Sequence, residues 1–129
     1  MEIIFEGDKK VTALYKNHRI KTDQPLDNGG EDSSPAPFDL FMASIGTCVG
    51  IYVKSFCDKR NIPTDKIRII QNIEYSKETH LPVNITIDIK LPADFPDKYR
   101  SAVVSAADLC TVKRSFFNPP EFQIVTSQI

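Results

Sequence analysis

The chain carries almost no net charge: 16 Lys and Arg oppose 17 Asp and Glu, leaving −1 at pH 7. That balance gives no basic surface for nucleic acid or anionic lipid, and local pairs such as Lys9-Lys10 and Lys113-Arg114 are too small to build one. A secretory leader is not read at the start either, because Met1-Glu2-Ile3-Ile4-Phe5 opens with an acid and has strand composition. The longest apolar stretch, residues 37–53, is interrupted by Asp39, Ser44, Thr47 and two glycines. It falls short of the roughly 20 residues a membrane span needs, so a buried helix is expected and no membrane partner.

Metal ligands are scarce. The two histidines, His18 and His80, fall at turns or strand edges, and the three cysteines form no Cys-x-x-Cys. A structural zinc site needs four ligands at regular spacing, so neither a metal nor another cofactor is expected. A Gly-x-Ser-x-Gly elbow and a Gly-rich phosphate loop are both missing; Gly46-Thr47-Cys48-Val49-Gly50 mimics the elbow but lies inside the apolar run. Without repeats or a dividing linker, 129 residues read as one domain, 1–129. Three cysteines with no secretory context indicate free thiols in a reducing, cytoplasmic setting.

What is present reads as an α+β domain. Residues 2–6, 11–15 and 18–23 have the β-branched and aromatic content of short strands, with turns at Gly7-Asp8-Lys9-Lys10 and Lys16-Asn17. Residues 25–37 hold Pro25, Gly29, Gly30, Pro35 and Pro37, a loop of the length that is often functional or crosses between subunits. A long helix follows, with Ser33 or Ser34 as N-cap, Pro35 or Pro37 in the first turn and an end near Arg60, before Asn61 and Pro63. Val83, Ile85, Ile87, Ile89 and Leu91 alternate with polar residues, the period of a half-buried strand, and 66–75 supplies its hairpin partner. A second helix starts near Pro96, a short one spans 111–117, and 122–127 reads as a last strand.

The long helix is apolar on nearly every side (Phe38, Phe41, Ile45, Val49, Ile51, Val53, Phe56), which means burial on most sides. A chain this small has little material to cover it, so an intertwined homodimer is expected. Gly46 and Gly50 share a face that would let a second backbone approach.

Two readings of the cysteines stay open. Cys48 lies mid-helix and is either a small buried hydrophobe or a reactive thiol. Cys57, nine residues on, falls on the opposite side of the same helix and cannot pair with Cys48, since a disulfide needs Cα atoms within about 7 Å. Cys110 closes the second helix and opens the short third one. Unpaired N–H groups and the positive end of the helix dipole favour thiolate there, and Lys113 and Arg114 stand one turn further on; the alternative is a buried cap.

The run from Gly29-Gly30-Glu31-Asp32-Ser33-Ser34-Pro35 through Leu40-Phe41-Met42-Ala43-Ser44-Ile45-Gly46-Thr47-Cys48 resembles the OsmC/Ohr family. So do Thr22-Asp23-Gln24-Pro25 upstream, and Leu109-Cys110 and Pro119-Pro120-Glu121-Phe122 downstream. The resemblance implies an OsmC-like α+β fold, an intertwined homodimer with two central helices packed on antiparallel sheets. It implies a thiol peroxidase cycle with Cys48 as the attacking and Cys110 as the resolving cysteine, a small hydroperoxide substrate and an external dithiol as reductant. Phe41 and Tyr52 are the expected pocket residues favouring organic peroxides. Family members hold the thiolate with a glutamate after the loop proline and an arginine from the N-terminal strands. Here Phe38 follows Pro37, so Asp39 and Glu31 are the candidate acids and Arg19 the candidate base. The alternative is a non-catalytic, small-ligand-binding or stress-associated member with inert cysteines.

The helix argument sets a first expectation: light scattering at micromolar concentration should report about twice the 14.5 kDa chain mass. A stable monomer would contradict the reasoning from the apolar helix.

Overall fold

Alternating β-branched residues joined by tight turns pair as a meander at the N-terminus. The computed structural model, which describes residues 1–129, contains β1 (Glu2–Phe5), β2 (Val11–Tyr15) and β3 (His18–Thr22) as an antiparallel sheet in that order. The turns use left-handed backbone at Gly7 (φ 96°) and Asp8 (φ 48°), and at Lys16 (φ 53°), conformations that favour glycine and short polar residues. Thr12, fully buried on β2, donates its hydroxyl to Glu6 at 2.7 Å, and Arg19 on β3 pairs with the same carboxylate. The Thr12 bond first, and then the Arg19 charge, hold Glu6 below the usual carboxylate range against partial desolvation.

The loop after β3 is closed by an acid. Asp23, 1% exposed, accepts from Ser33 through both hydroxyl (2.7 Å) and N–H (3.1 Å), and from the N–H groups of Gln24 (2.8 Å) and Glu31 (3.2 Å). The Ser33 bonds lead in drawing its pKa down to about 2. Gly30 makes the closure sterically feasible, since a Cβ there would sit 1.9 Å from the Gln24 carbonyl oxygen. Ser33 therefore ties the loop instead of capping the long helix as expected. Helix α1 (Pro37–Asp58) begins with Pro37 in its first position, and Asp39 reaches back to accept the Ala36 N–H at 3.3 Å, the acid half of a capping box. At the other end Asn61 turns left-handed (φ 53°) and the Ile62 N–H closes on the Cys57 carbonyl at 3.0 Å, with Pro63 next.

At 22 residues, with mean hydropathy 1.5 over its most apolar window, α1 is long and apolar enough by length and composition to cross a membrane. This corrects the shorter apolar stretch read from the sequence. Only 33% of that window is buried, and Phe38, Phe41 and Ile51 are exposed.

The chain divides into two compact units, Met1–Ser44 and Ile45–Ile129, with the boundary inside α1. In the second unit, β4 (Arg68–Tyr75) and β5 (Pro82–Lys90) form the expected antiparallel hairpin, with Ile69 opposite Ile89 and Ile73 opposite Ile85. Their period of two turns Ile69, Ile87 and Ile89 toward the core and leaves Arg68, Glu74, Asp88 and Lys90 exposed on the other face. A 3-10 turn at Asp97–Tyr99 leads into α2 (Arg100–Ala107), followed by α3 (Thr111–Ser115). Val49, Val53, Phe56 and Cys57 on α1 recur at helical spacing and pack with Val103, Ala107 and Cys110. Complete burial of a residue such as Val103 contributes about 1.5–3 kcal/mol.

The last strand expected at 122–127 does not form, and residues 119–129 have no regular structure. A strand exists only through a neighbouring edge, and within one chain this segment finds none: Phe122, Ile124 and Val125 are 88%, 97% and 73% exposed.

Asp23 sets a pH dependence. Its folded pKa is depressed, so its contribution is complete above the ordinary aspartate range near pH 4 and is lost as pH falls through about 2. Asp23→Asn should lower the melting temperature at pH 7, and the gap from the parent should close between about pH 4 and 2. Equal melting at pH 7 would show that the four bonds do not stabilise the loop.

Candidate functional site

Cys48 and Cys110 are brought together in the second unit by α1 and by the α2–α3 junction. Cys48 is half-buried, one helical turn before Tyr52; Cys110 is fully buried and is the N-cap of α3. As N-cap, Cys110 accepts the Lys113 N–H on its sulfur at 3.4 Å. Its S–H faces two acceptors, the Cys48 sulfur and, at a long 3.9 Å, the Ile45 carbonyl oxygen. Both cysteines are free thiols.

The two thiols are driven in opposite directions. Burial pushes Cys48 up, but the bonds it accepts from the Cys110 thiol and from the backbone N–H groups of Val112 and Thr111 outweigh burial and leave it below its ordinary value. Burial raises Cys110, and so does the proton it donates to Cys48, with the Lys113 N–H opposing. Cys48 is thus the sulfur that ionises first, with Cys110 its protonated donor. The groups that stabilise the Cys48 thiolate are dipoles: one S–H and two N–H groups at the first turn of α3. Lys113 does not add free positive potential as expected, because its ammonium pairs with Asp108. Cys57 is fully buried and its thiol is raised by burial first and then by Asp58, the character of an inert core cysteine.

The other candidate residues have partners of their own. Arg19 pairs with Glu6, Glu31 with Lys10, and Asp39 caps α1, all within the first unit. Phe41 also lies there, its ring 6.0 Å from Phe38 at 52°. Tyr52 lies in the second unit; its hydroxyl meets Thr111 Oγ1 at 3.0 Å, and its ring helps to line a cavity of about 550 Å³ with Ile51, Phe56 and Leu109. Thr111 and Val112 were missed from sequence. The available signal was their place directly after a cysteine that opens a helix, where N–H groups lack intrahelical partners.

A second cavity, of about 430 Å³, opens between the start of the second unit's α1 segment, the β4–β5 hairpin and α3. Ile45 and Lys113, whose backbones meet the Cys110 sulfur, line it together with Val83, Ile85, Ile87 and Phe117.

The site is that of a paired-thiol protein on an α+β scaffold. The chain belongs to the OsmC-like protein family, whose model matches residues 30–125. Its fold is similar to that of a protein from Psychrobacter arcticus 273-4 described as an osmotic stress induced and detoxification response protein. The TM-score is 0.74 at 22% identity, covering 88% of this chain and 85% of that one. An organic hydroperoxide resistance protein OsmC from Legionella pneumophila matches with TM-score 0.55 at 14% identity, over 89% and 85% of the two chains. At these identities the likeness shows the fold alone. No curated protein matches the chain.

Proposed function

We propose that this protein is a thiol-dependent hydroperoxide reductase in which Cys48 attacks and Cys110 resolves. The observation that carries the reading is the meeting of two free thiols at the start of α3, where Cys110 caps the helix through its sulfur and reaches the Ile45 carbonyl one turn before Cys48, with the half-buried partner lowered and the buried partner raised. A structural pair of buried hydrophobes has no need of that asymmetry, whereas a peroxidatic thiol must be ionised and reachable. The name of the Legionella neighbour agrees with this chemistry.

In the first step the Cys48 thiolate attacks the terminal oxygen of ROOH. An S–O bond forms, the O–O bond breaks, and the departing alkoxide takes a proton and leaves as ROH. Cys48 is then a sulfenic acid and the peroxide has been reduced by two electrons. In the second step the Cys110 sulfur attacks the Cys48 sulfur, expels water and closes the disulfide. An external dithiol returns both cysteines to thiols by exchange. The packing of Cys48 against the apolar core cluster supports organic hydroperoxides over hydrated hydrogen peroxide.

The same proposal includes a homodimer. The apolar surface of α1 left exposed, together with Phe116, Phe117 and the 119–129 segment, requires a cover. A second copy fits better than a bilayer, because α1 packs on a hairpin whose outer face bears Arg68, Glu74, Asp88 and Lys90, costly groups in hydrocarbon.

One equivalent of tert-butyl hydroperoxide added to reduced protein should remove two hydrogens and yield a Cys48–Cys110 peptide link, with Cys57 unchanged. Cys48→Ser should abolish the reaction, and Cys110→Ser should stop at the sulfenic acid, trapped by dimedone. An unchanged mass over minutes would refute the peroxidase reading.

A further inference from the structure

We infer that Tyr52 and Thr111 form a latch that aims the first turn of α3 at the Cys48 sulfur, and so act as positioning residues for the thiol chemistry. The inference rests on the thiol reading of Cys48 and deepens it.

Cys48 and Tyr52 are four residues apart on α1, so their side chains leave the same face one turn apart. Both reach the start of α3. The N–H groups of Val112 and Thr111 help to lower the Cys48 thiol, while the Tyr52 hydroxyl meets Thr111 Oγ1 at 3.0 Å. Thr111 therefore joins α1 twice, by its backbone at Cys48 and by its side chain at Tyr52.

This second joint matters because the other fixings of α3 lie at its cap and on Val112 and Lys113, and none of them holds Thr111 itself. The helix spans five residues, none of them buried, and the chain beyond it has no regular structure. Its anchors are the buried Cys110 at its cap, Val112 packed against the core, the Lys113–Asp108 ion pair, and the bond between Thr111 and Tyr52. A helix of one turn and a half is not stable through its own backbone bonds. Without the hydroxyl bond the first turn would pivot about Cys110 and the two N–H groups would lose their aim. Both bonds to the sulfur would then lengthen together, since consecutive N–H groups of one turn move as a unit. Tyr52 thus acts through Thr111, at one remove from the reacting atom.

The test is the pH dependence of Cys48 alkylation by iodoacetamide, read by peptide mass on the intact reduced protein. Tyr52→Phe and Thr111→Val, which each remove one hydroxyl at nearly constant shape, should raise the apparent pKa of Cys48 by up to about one unit. The double variant should shift no further than either single one, because all three lose the same bond. Thr111→Ser, which keeps the hydroxyl, should match the parent. Should peroxide reduction occur, its pH profile should move with the alkylation profile, and higher pH should restore the rate.

An unchanged Cys48 profile in Tyr52→Phe and Thr111→Val would overturn the inference, even if melting temperature fell, since that pattern belongs to a merely structural bond. Alkylation needs no peroxide. A shifted pKa in a protein that reduces no hydroperoxide would leave the latch standing and remove only the catalytic reading.

Discussion

A half-buried sulfur can hold a negative charge only if donors replace the water it has lost, and Cys48 receives three. One comes from the thiol that would later bond to it, and two come from the first turn of α3. The arrangement is economical in parts. Cys110 serves as helix cap and as proton donor, and in the proposed cycle it is also the group that closes the disulfide. The rest of the second unit reads as support: Val49 and Val53 seat α1 in the core, Val103 and Ala107 seat α2, and the junction between α2 and α3 carries the second sulfur to the first.

The groups that lower Cys48 are dipoles, whereas the family resemblance implies a charge-based scheme. The residues that resemblance nominated, Arg19, Glu31 and Asp39, are engaged with Glu6, with Lys10 and with the start of α1. Phe38 occupies the position of the supporting glutamate. Neutral donors stabilise a thiolate less than a guanidinium does, but they also leave it less tightly held, and so a better nucleophile once formed.

Much of the fold was legible because it is written in short-range pattern. The period of two in 83–91, the apolar run of α1 with Asn61 and Pro63 after it, and the placement of Cys110 at a helix start all follow from neighbours within a few residues. What was not legible is non-local. Ser33 looks like a helix cap until Asp23, ten residues earlier, claims both its donors. Tyr52 and Thr111 stand 59 residues apart, and no periodicity pairs them. The segment 122–127 has strand composition but no edge within its own chain, and propensity alone does not supply hydrogen-bond partners.

The order of ionisation is the central claim, and it can be read directly at each sulfur. With cysteine Cβ carbons labelled, NMR titration of the reduced protein should show Cys48 losing its proton below the ordinary thiol range and before Cys110, with Cys110→Ala moving the Cys48 midpoint upward. A Cys48 that titrates at or above the ordinary value, or is indifferent to the loss of Cys110, would contradict the account.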